Sequence, residues 1–301
     1  MMRLNLKGKL IPKLPIVFCD SWVHSKSHEL SLERKIKIIE NGVFAVHKEK
    51  NLASTETVEI IKSILASDFP IDILKVGHGG VLDKTATGVL VLGLCNGCKI
   101  LPKFLHGTKN YEVKGRLGIS TSTYNETGEI VDQLPYDHVT KDDLSKCLNR
   151  FIGDIKQTPP AYSSLKLNGR RYSDLAREGI EVPLKPRPVK CYSLTCSSFE
   201  PPYFSLSLKC GSGFYVRSLI HDIGKAVGSC AHVVELHRTQ HGVFKDDEAL
   251  VRDKWTTKEI LRSIQAAKRK HKNLFSKFDN DKNMKNNKDK EINIPDDLFD
   301  L

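Results

Sequence analysis

The residue types that could do chemistry concentrate between Lys75 and Leu94, in Lys-Val-Gly-His-Gly-Gly-Val-Leu-Asp-Lys-Thr-Ala-Thr-Gly-Val-Leu-Val-Leu-Gly-Leu. Asp83 is the only carboxylate there. A lone carboxylate on a loop can serve as a nucleophile or a general base, or it can cap its own turn through an Asx hydrogen bond. Gly77, Gly79 and Gly80 permit backbone angles and close approaches that a side chain would resist, so a tight loop is expected. Val89-Leu90-Val91-Leu92, bounded by Gly88 and Gly93, predicts a strand buried on both faces, which would brace the loop from below.

Other reactive side chains are spread along the chain. Tyr111 opens an alternation of Tyr111, Val113, Gly115 and Leu117 with Glu112, Lys114 and Arg116, the period of a half-buried strand. Tyr215 and Arg217 follow Gly211 and Gly213 at the start of a helix that carries Val216, Leu219, Ile220 and Ile223 on one face. Between them, residues 157–182 are basic, interleaved with tyrosines and poor in apolar periodicity. Lys166, Arg170, Arg171 and Arg177 there could meet phosphates while tyrosines stack on bases, which is what a lid over RNA requires. Asp222 could be a second carboxylate, but pairing on the helix surface accounts for it better.

The supporting elements follow from pattern. Gly42-Val43-Phe44-Ala45-Val46-His47-Lys48 reads as a strand, and Ser54 as the N-cap of a helix bearing Val58, Ile61, Ile64 and Leu65. Thr140 and Asp143 form a capping box before the stripe Leu144, Cys147, Leu148 and Phe151. Runs 189–199 and 203–210 pair as antiparallel strands around Glu200-Pro201-Pro202. One more helix is expected beyond Trp255.

His-Gly-Gly-Val-Leu-Asp-Lys-Thr-Ala-Thr-Gly resembles the catalytic loop of the TruB family of pseudouridine synthases, with Asp83 matching its nucleophilic aspartate. Four further short matches follow in the family's order, from Gly42 to Phe244. The resemblance implies an α/β (α+β) pseudouridine synthase fold: a mixed, mostly antiparallel sheet flanked by helices, with 157–182 as the thumb-loop insertion. It implies that Asp83, Tyr215 and Arg217 are catalytic, Arg217 holding and balancing the carboxylate. His78 would fill the space of a flipped-out base, Tyr111 would stack on that base, and Leu236 would wall the uracil pocket. Lys99, Lys166, Arg170 and Arg171 would bind substrate. The implied reaction is uridine to pseudouridine at position 55 in the T loop of tRNA, and it needs no cofactor or metal; whether mRNA uridines are a further target stays open at the level of sequence. Asp83 attacking the ribose C1′, acting on the ring, or assisting elimination to a glycal all remain open. One departure stands out: Lys48-Glu49-Lys50-Asn51 lacks the proline and glycine of the family's opening turn.

Composition sets wider bounds. The 301 residues hold 47 Lys and Arg against 36 Asp and Glu, a net charge of +11, which suits a polyanionic partner. No apolar run approaches the length of a membrane span, so no membrane association is expected. Cys95-x-x-Cys98 has half the spacing of a zinc site without a second pair, which predicts free thiols. Residues 1–41, with eight Lys and Arg and a first acid at Asp20, read as a poorly ordered basic extension. Pro12 and Pro15 would break an amphipathic targeting helix, so cytoplasm or nucleus is expected ahead of mitochondrion. Residues 42–264 read as the catalytic domain and 265–301 as a disordered tail. No room is left there for the RNA-binding domain of guide-dependent relatives, so a monomer acting on the tRNA T arm without guide RNA is expected. A tRNA-folding chaperone with secondary or lost catalysis is the alternative, against which the carboxylate argues, since it repels phosphate. A hydrolase using Asp83 and Asp222 as acid and base finds no support in the sequence.

Overall fold

The computed structural model describes residues 30–69 and 74–275. The expectations for residues 1–29 and 276–301 lie outside the described residues. In chain order the elements are α1 (Leu32–Ile39), β1 (Val43–Lys48), α2 (Ser54–Ala66), β2 (Val76–His78), β3 (Thr87–Leu94), α3 (Leu101–Leu105) and β4 (Lys109–Leu117). They continue with β5 (Ile119–Thr121), β6 (Ile130–Gln133), α4 (Lys141–Leu148), β7 (Gly153–Gln157), β8 (Lys166–Leu167), β9 (Arg170–Arg171) and α5 (Tyr172–Arg177). The last are β10 (Arg187–Glu200), β11 (Tyr203–Cys210), α6 (Val216–Ala226), β12 (Ala231–His241), β13 (Phe244–Lys245) and α7 (Thr257–Lys270).

One sheet runs through the molecule in the order β1-β3-β12-β4-β11-β10-β7, with β2 on β3 and β13 on β12. Every ladder in it is antiparallel except β12 against β3, where His237 faces Thr87 and Arg238 faces Gly88. This short parallel seam joins two halves. The backbones meet so closely there that a Cβ on Gly88 would lie 2.3 Å from the Arg238 carbonyl oxygen, and its φ of +106° also calls for glycine.

Each half has its own core. In the first, β3 is buried on both faces because its residues alternate between two clusters: Leu90, Leu92 and Leu94 pack with α2, Trp255 and α7, while Val89 and Val91 pack with Phe104 and Phe244. In the second, the inner faces of β4, β10, β11 and β12 close on Leu144, Leu148, Leu219, Ile220 and Ile223 from α4 and α6. No helix among the described residues is long and apolar enough to cross a membrane.

Three boundaries differ from the sequence reading. Leu32–Ile39, assigned to the poorly ordered extension, forms α1 and packs against α7, burying Ile39. α7 runs past the expected tail boundary to Lys270, and Ala267 and Phe275 are buried beyond it. Both departures have one cause: sparse apolar residues in charged segments become sufficient when two such segments cover each other. Ser54 is the first residue of α2 and not its N-cap, since its hydroxyl is committed elsewhere; Ala53 takes the cap position and its N–H donates to Glu56 at 2.7 Å.

Candidate active site

The Asp83 loop is held from beneath by buried donors. Gly80 has φ +145°, and a Cβ on Gly79 would lie 2.7 Å from Phe104 Cβ, so both glycines are required for the tight path. Leu82 is clamped by one hydroxyl: its N–H donates to Ser54 Oγ at 2.9 Å while Ser54 Oγ donates to its carbonyl at 3.0 Å. The fully buried Arg238 donates to the carbonyls of Val89 at 2.7 Å, Val81 at 3.1 Å and Gly80 at 3.3 Å. Lys48 Nζ donates to Glu49 O, Leu52 O and Lys84 O at 2.8, 2.7 and 3.2 Å, and burial pulls its pKa down to about 8 despite the opposing pull of Asp83. Asn51 N–H also donates to Lys84 O at 2.8 Å, and Asn51 takes φ +66°. The unusual opening turn therefore closes: asparagine tolerates the left-handed conformation.

Above this floor Asp83 meets Arg217. Arg217 Nε donates to Asp83 Oδ2 at 2.7 Å and Nη2 to Oδ1 at 3.3 Å, a bidentate pair. The Arg217 side chain is 8% exposed and that of Asp83 33%, so the carboxylate faces the opening while the guanidinium anchors it. The remaining donors reach Thr123 O at 3.0 Å and Tyr162 O at 2.8 Å. Tyr215, the residue before α6, is fixed by Gln157, whose amide accepts from Tyr215 N–H at 2.7 Å and donates to Tyr215 O at 2.9 Å. Gln157 thus belongs to β7 and to the site's scaffold, not to the insertion that was expected to start with it.

These groups open on a cleft of about 380 Å³ whose lining includes Asp83, Tyr111, Tyr215, Leu236, Lys84, Lys109, Arg171, Arg177 and Arg217. Asp83 is the single carboxylate among five cations. Burial raises the Tyr111 phenol to about 12, with the Arg238 guanidinium partly opposing, and burial likewise raises Tyr215. Both are therefore protonated donors at neutral pH. Burial lowers Lys109 to about 8, its ammonium donating to the carbonyls of Phe104, Leu105 and Gly107 at 3.1, 3.0 and 2.9 Å.

Other expected site residues stand apart. His78, 5% exposed at the end of β2, accepts from Gly80 N–H through Nδ1 at 3.3 Å and does not line the cleft. Lys99 is exposed on the 3-10 turn Cys95–Ile100 that follows β3, and does not line it either. Of the lid cations, Arg171 and Arg177 line the cleft; Lys166 and Arg170 lie on its outer hairpin, where Arg170 pairs with Glu178. Asp222 is not part of the cleft. Among the described residues, no group of three or more His, Cys, Asp or Glu side chains could hold a metal ion.

Lys48, Ser54, Lys109 and Arg238 are the supports the sequence reading missed. Only Arg238 carried a signal: it sits at an inward register position, two residues after Leu236, where an unpaired charge is not tolerated.

Residues 69–216 match the profile of the TruB family pseudouridylate synthase N-terminal domain, and residues 217–274 that of the tRNA pseudouridylate synthase B C-terminal domain. Fold, cleft and these matches define a pseudouridine synthase. The chain is 44% identical over 237 residues to pseudouridylate synthase TRUB1 of Homo sapiens, spanning 75% of this chain and 68% of that protein. It is 37% identical over 210 residues to tRNA pseudouridine synthase B of Clostridium tetani (strain Massachusetts / E88), spanning 70% and 71%. A chain in the crystal structure of a Cbf5-Nop10-Gar1 complex superposes with a TM-score of 0.56 at 28% identity, over 75% of this chain but only 57% of that one. The chain belongs to the TruB family of pseudouridylate synthases.

Proposed function

We propose that this protein isomerises uridine to pseudouridine in tRNA, at uridine 55 of the T loop, acting as a monomer on the T arm without a guide RNA. The observation that carries the reading is the bidentate Asp83–Arg217 pair set as the one carboxylate in a cationic cleft. Five cations attract a phosphate backbone. A carboxylate in their midst repels it, and so has a chemical rather than an affinity role.

The reaction breaks the N1–C1′ bond, turns the uracil, joins C5 to C1′, and moves a proton from C5 to N1. Nothing is gained or lost, so no electron acceptor or co-substrate is required. Reaching C1′ of a looped uridine requires unstacking the base, at a cost of about a few kcal/mol. Tyr111 and Leu236 offer the flipped base a flat wall and an apolar wall. Asp83, oriented by Arg217, acts at the junction of ribose and base. Tyr215, lining the same cleft, supplies or relays the ring proton. His78, buried beneath the loop, supports the loop's path in the free protein.

The test is pseudouridine mapping on an unmodified tRNA transcript with wild type and Asp83→Asn, without added cofactor. Product at the T-loop uridine with wild type alone is the expected result. Tight tRNA binding by both proteins with product from neither would overturn the enzyme reading.

A further inference from the structure

Four buried side-chain polar atoms among the described residues have no hydrogen-bond partner: Arg116 Nε, Ser163 Oγ, Ser229 Oγ and His241 Nδ1. Of these residues only Ser163 lines the cleft, together with Asp83, Tyr111 and Tyr215. Ser163 is 4% exposed. A hydroxyl left unpaired at that depth carries a desolvation cost that a better-packed alanine would not. Another hydroxyl of the cleft lining, Ser54, shows the contrast, since it is fully engaged with Leu82.

The backbone around Ser163 fixes where its hydroxyl lies. Ser163 N–H donates to Ala161 O and its carbonyl accepts from Ser173 N–H, both at 3.0 Å. The preceding carbonyl, Tyr162 O, accepts from Arg217 at 2.8 Å. Ser163 is thus referenced to Asp83 through one guanidinium. Its hydroxyl approaches the Tyr215 phenol closely enough to oppose the effect of burial there, but without the geometry of a hydrogen bond.

We propose that Ser163 Oγ is a substrate-orienting group that donates a hydrogen bond to an exocyclic oxygen of the flipped uracil. The proposal rests on the uridine-isomerising reading above. Half a turn of uracil about its N3–C6 axis exchanges N1 with C5 and, with them, O2 with O4. One fixed donor therefore meets one carbonyl oxygen before the base turns and the other after it. The Ser163 hydroxyl can hold the ring in both orientations without moving, while N1 and C5 exchange places beside Asp83.

The experiment compares wild type, Ser163→Ala and Ser163→Cys in single-turnover pseudouridine formation on an unmodified tRNA transcript, with tRNA Kd and melting temperature measured for each. The expected result is a rate about tenfold lower in both variants, the loss of one hydrogen bond to the reacting base. The Kd should stay within about twofold, because phosphate contacts dominate it, and the melting temperature should be equal or higher, because the removed hydroxyl had no partner. A Ser163→Ala rate equal to wild type overturns the proposal, as does a slower rate accompanied by a lower melting temperature, which assigns the hydroxyl a structural role. Wild-type protein that leaves the uridine unchanged overturns instead the reading on which the proposal rests.

Discussion

The two sides of the cleft are built by different means. The Asp83 loop is held through its own backbone: Gly80, Val81, Leu82 and Lys84 each give a carbonyl to a buried donor from another element. The lid gives one carbonyl, Tyr162 O, to the buried Arg217 and buries Tyr172 and Leu175, while its outer part is held through exposed side chains, Arg170 to Glu178 and Arg177 to Asp174, around two-residue strands. Surface pairs of that kind contribute about 0–1 kcal/mol, whereas removing a buried donor leaves carbonyls unsatisfied at about 1–3 kcal/mol each. A site that must present one carboxylate at a fixed angle needs the first kind of support. A surface that must fit an RNA backbone can be built from the second.

The comparison breaks most visibly at Arg217, the residue that touches both sides. Arg217→Met should abolish product formation and destabilise the protein by about 2–4 kcal/mol, since it strips the buried donor from Thr123 O and Tyr162 O and leaves the part-exposed Asp83 carboxylate unpaired; chemical denaturation checks this, and a loss below about 1 kcal/mol would mean that the pair is dispensable to the fold. Next in size is Lys48. Its folded pKa of about 8 lies below the ordinary 10.5, so between those values the unfolded chain binds more protons and stability rises with pH. The stability of wild type relative to Lys48→Met should accordingly increase from pH 8 to 10 by about 1.4 kcal/mol per unit at most, as read by denaturant unfolding at each pH. A flat difference would place the ammonium in a wetter setting. Ser54→Ala, which frees Leu82 by removing a hydroxyl already committed to it, should lower stability by about 1–2 kcal/mol and the single-turnover rate several-fold, with tRNA Kd unchanged. The smallest effect on stability belongs to the lid. Arg177→Ala should stay within about 0.5 kcal/mol of wild type, yet weaken tRNA binding and reduce the slope of log K against log salt by about 1. A stability loss there as large as that of Ser54→Ala would erase the distinction between the two sides.

The same distinction governs what the sequence made legible. Strands, helices and the carboxylate loop were readable because period-two and helical patterns and glycine positions are local signals; β3, α6 and the β10–β11 pair lie where the pattern placed them. The partner of Asp83 was readable only through resemblance, being 134 positions away. Beyond the inward register of Arg238, the supports were not readable because their acceptors are backbone carbonyls, which every residue has. Nothing in the letters around Lys48 or Arg238 says which carbonyls they will meet. Ser54 was misread for a related reason, since a serine before an apolar helical pattern is a good cap and only the tertiary structure brings Leu82 to it. Lys99 shows the reverse case: its local context suggested a role, while the structure sets it exposed on a turn outside the cleft lining.

The seam between β3 and β12 has a consequence for the order of events in folding. The two halves of the sheet enclose separate hydrophobic clusters, but Leu82 and Ala86, on either side of Asp83, pack into the cluster that holds Val216 and Leu219, so the loop is seated against Arg217 only once β3 has joined β12. Their pairing depends on closing a long stretch of chain, a slow and entropically costly step. Catalytic competence should then be the last property a refolding molecule acquires, trailing the recovery of secondary structure. An intermediate with both clusters formed and the seam open would look nearly native by circular dichroism while remaining inert toward RNA.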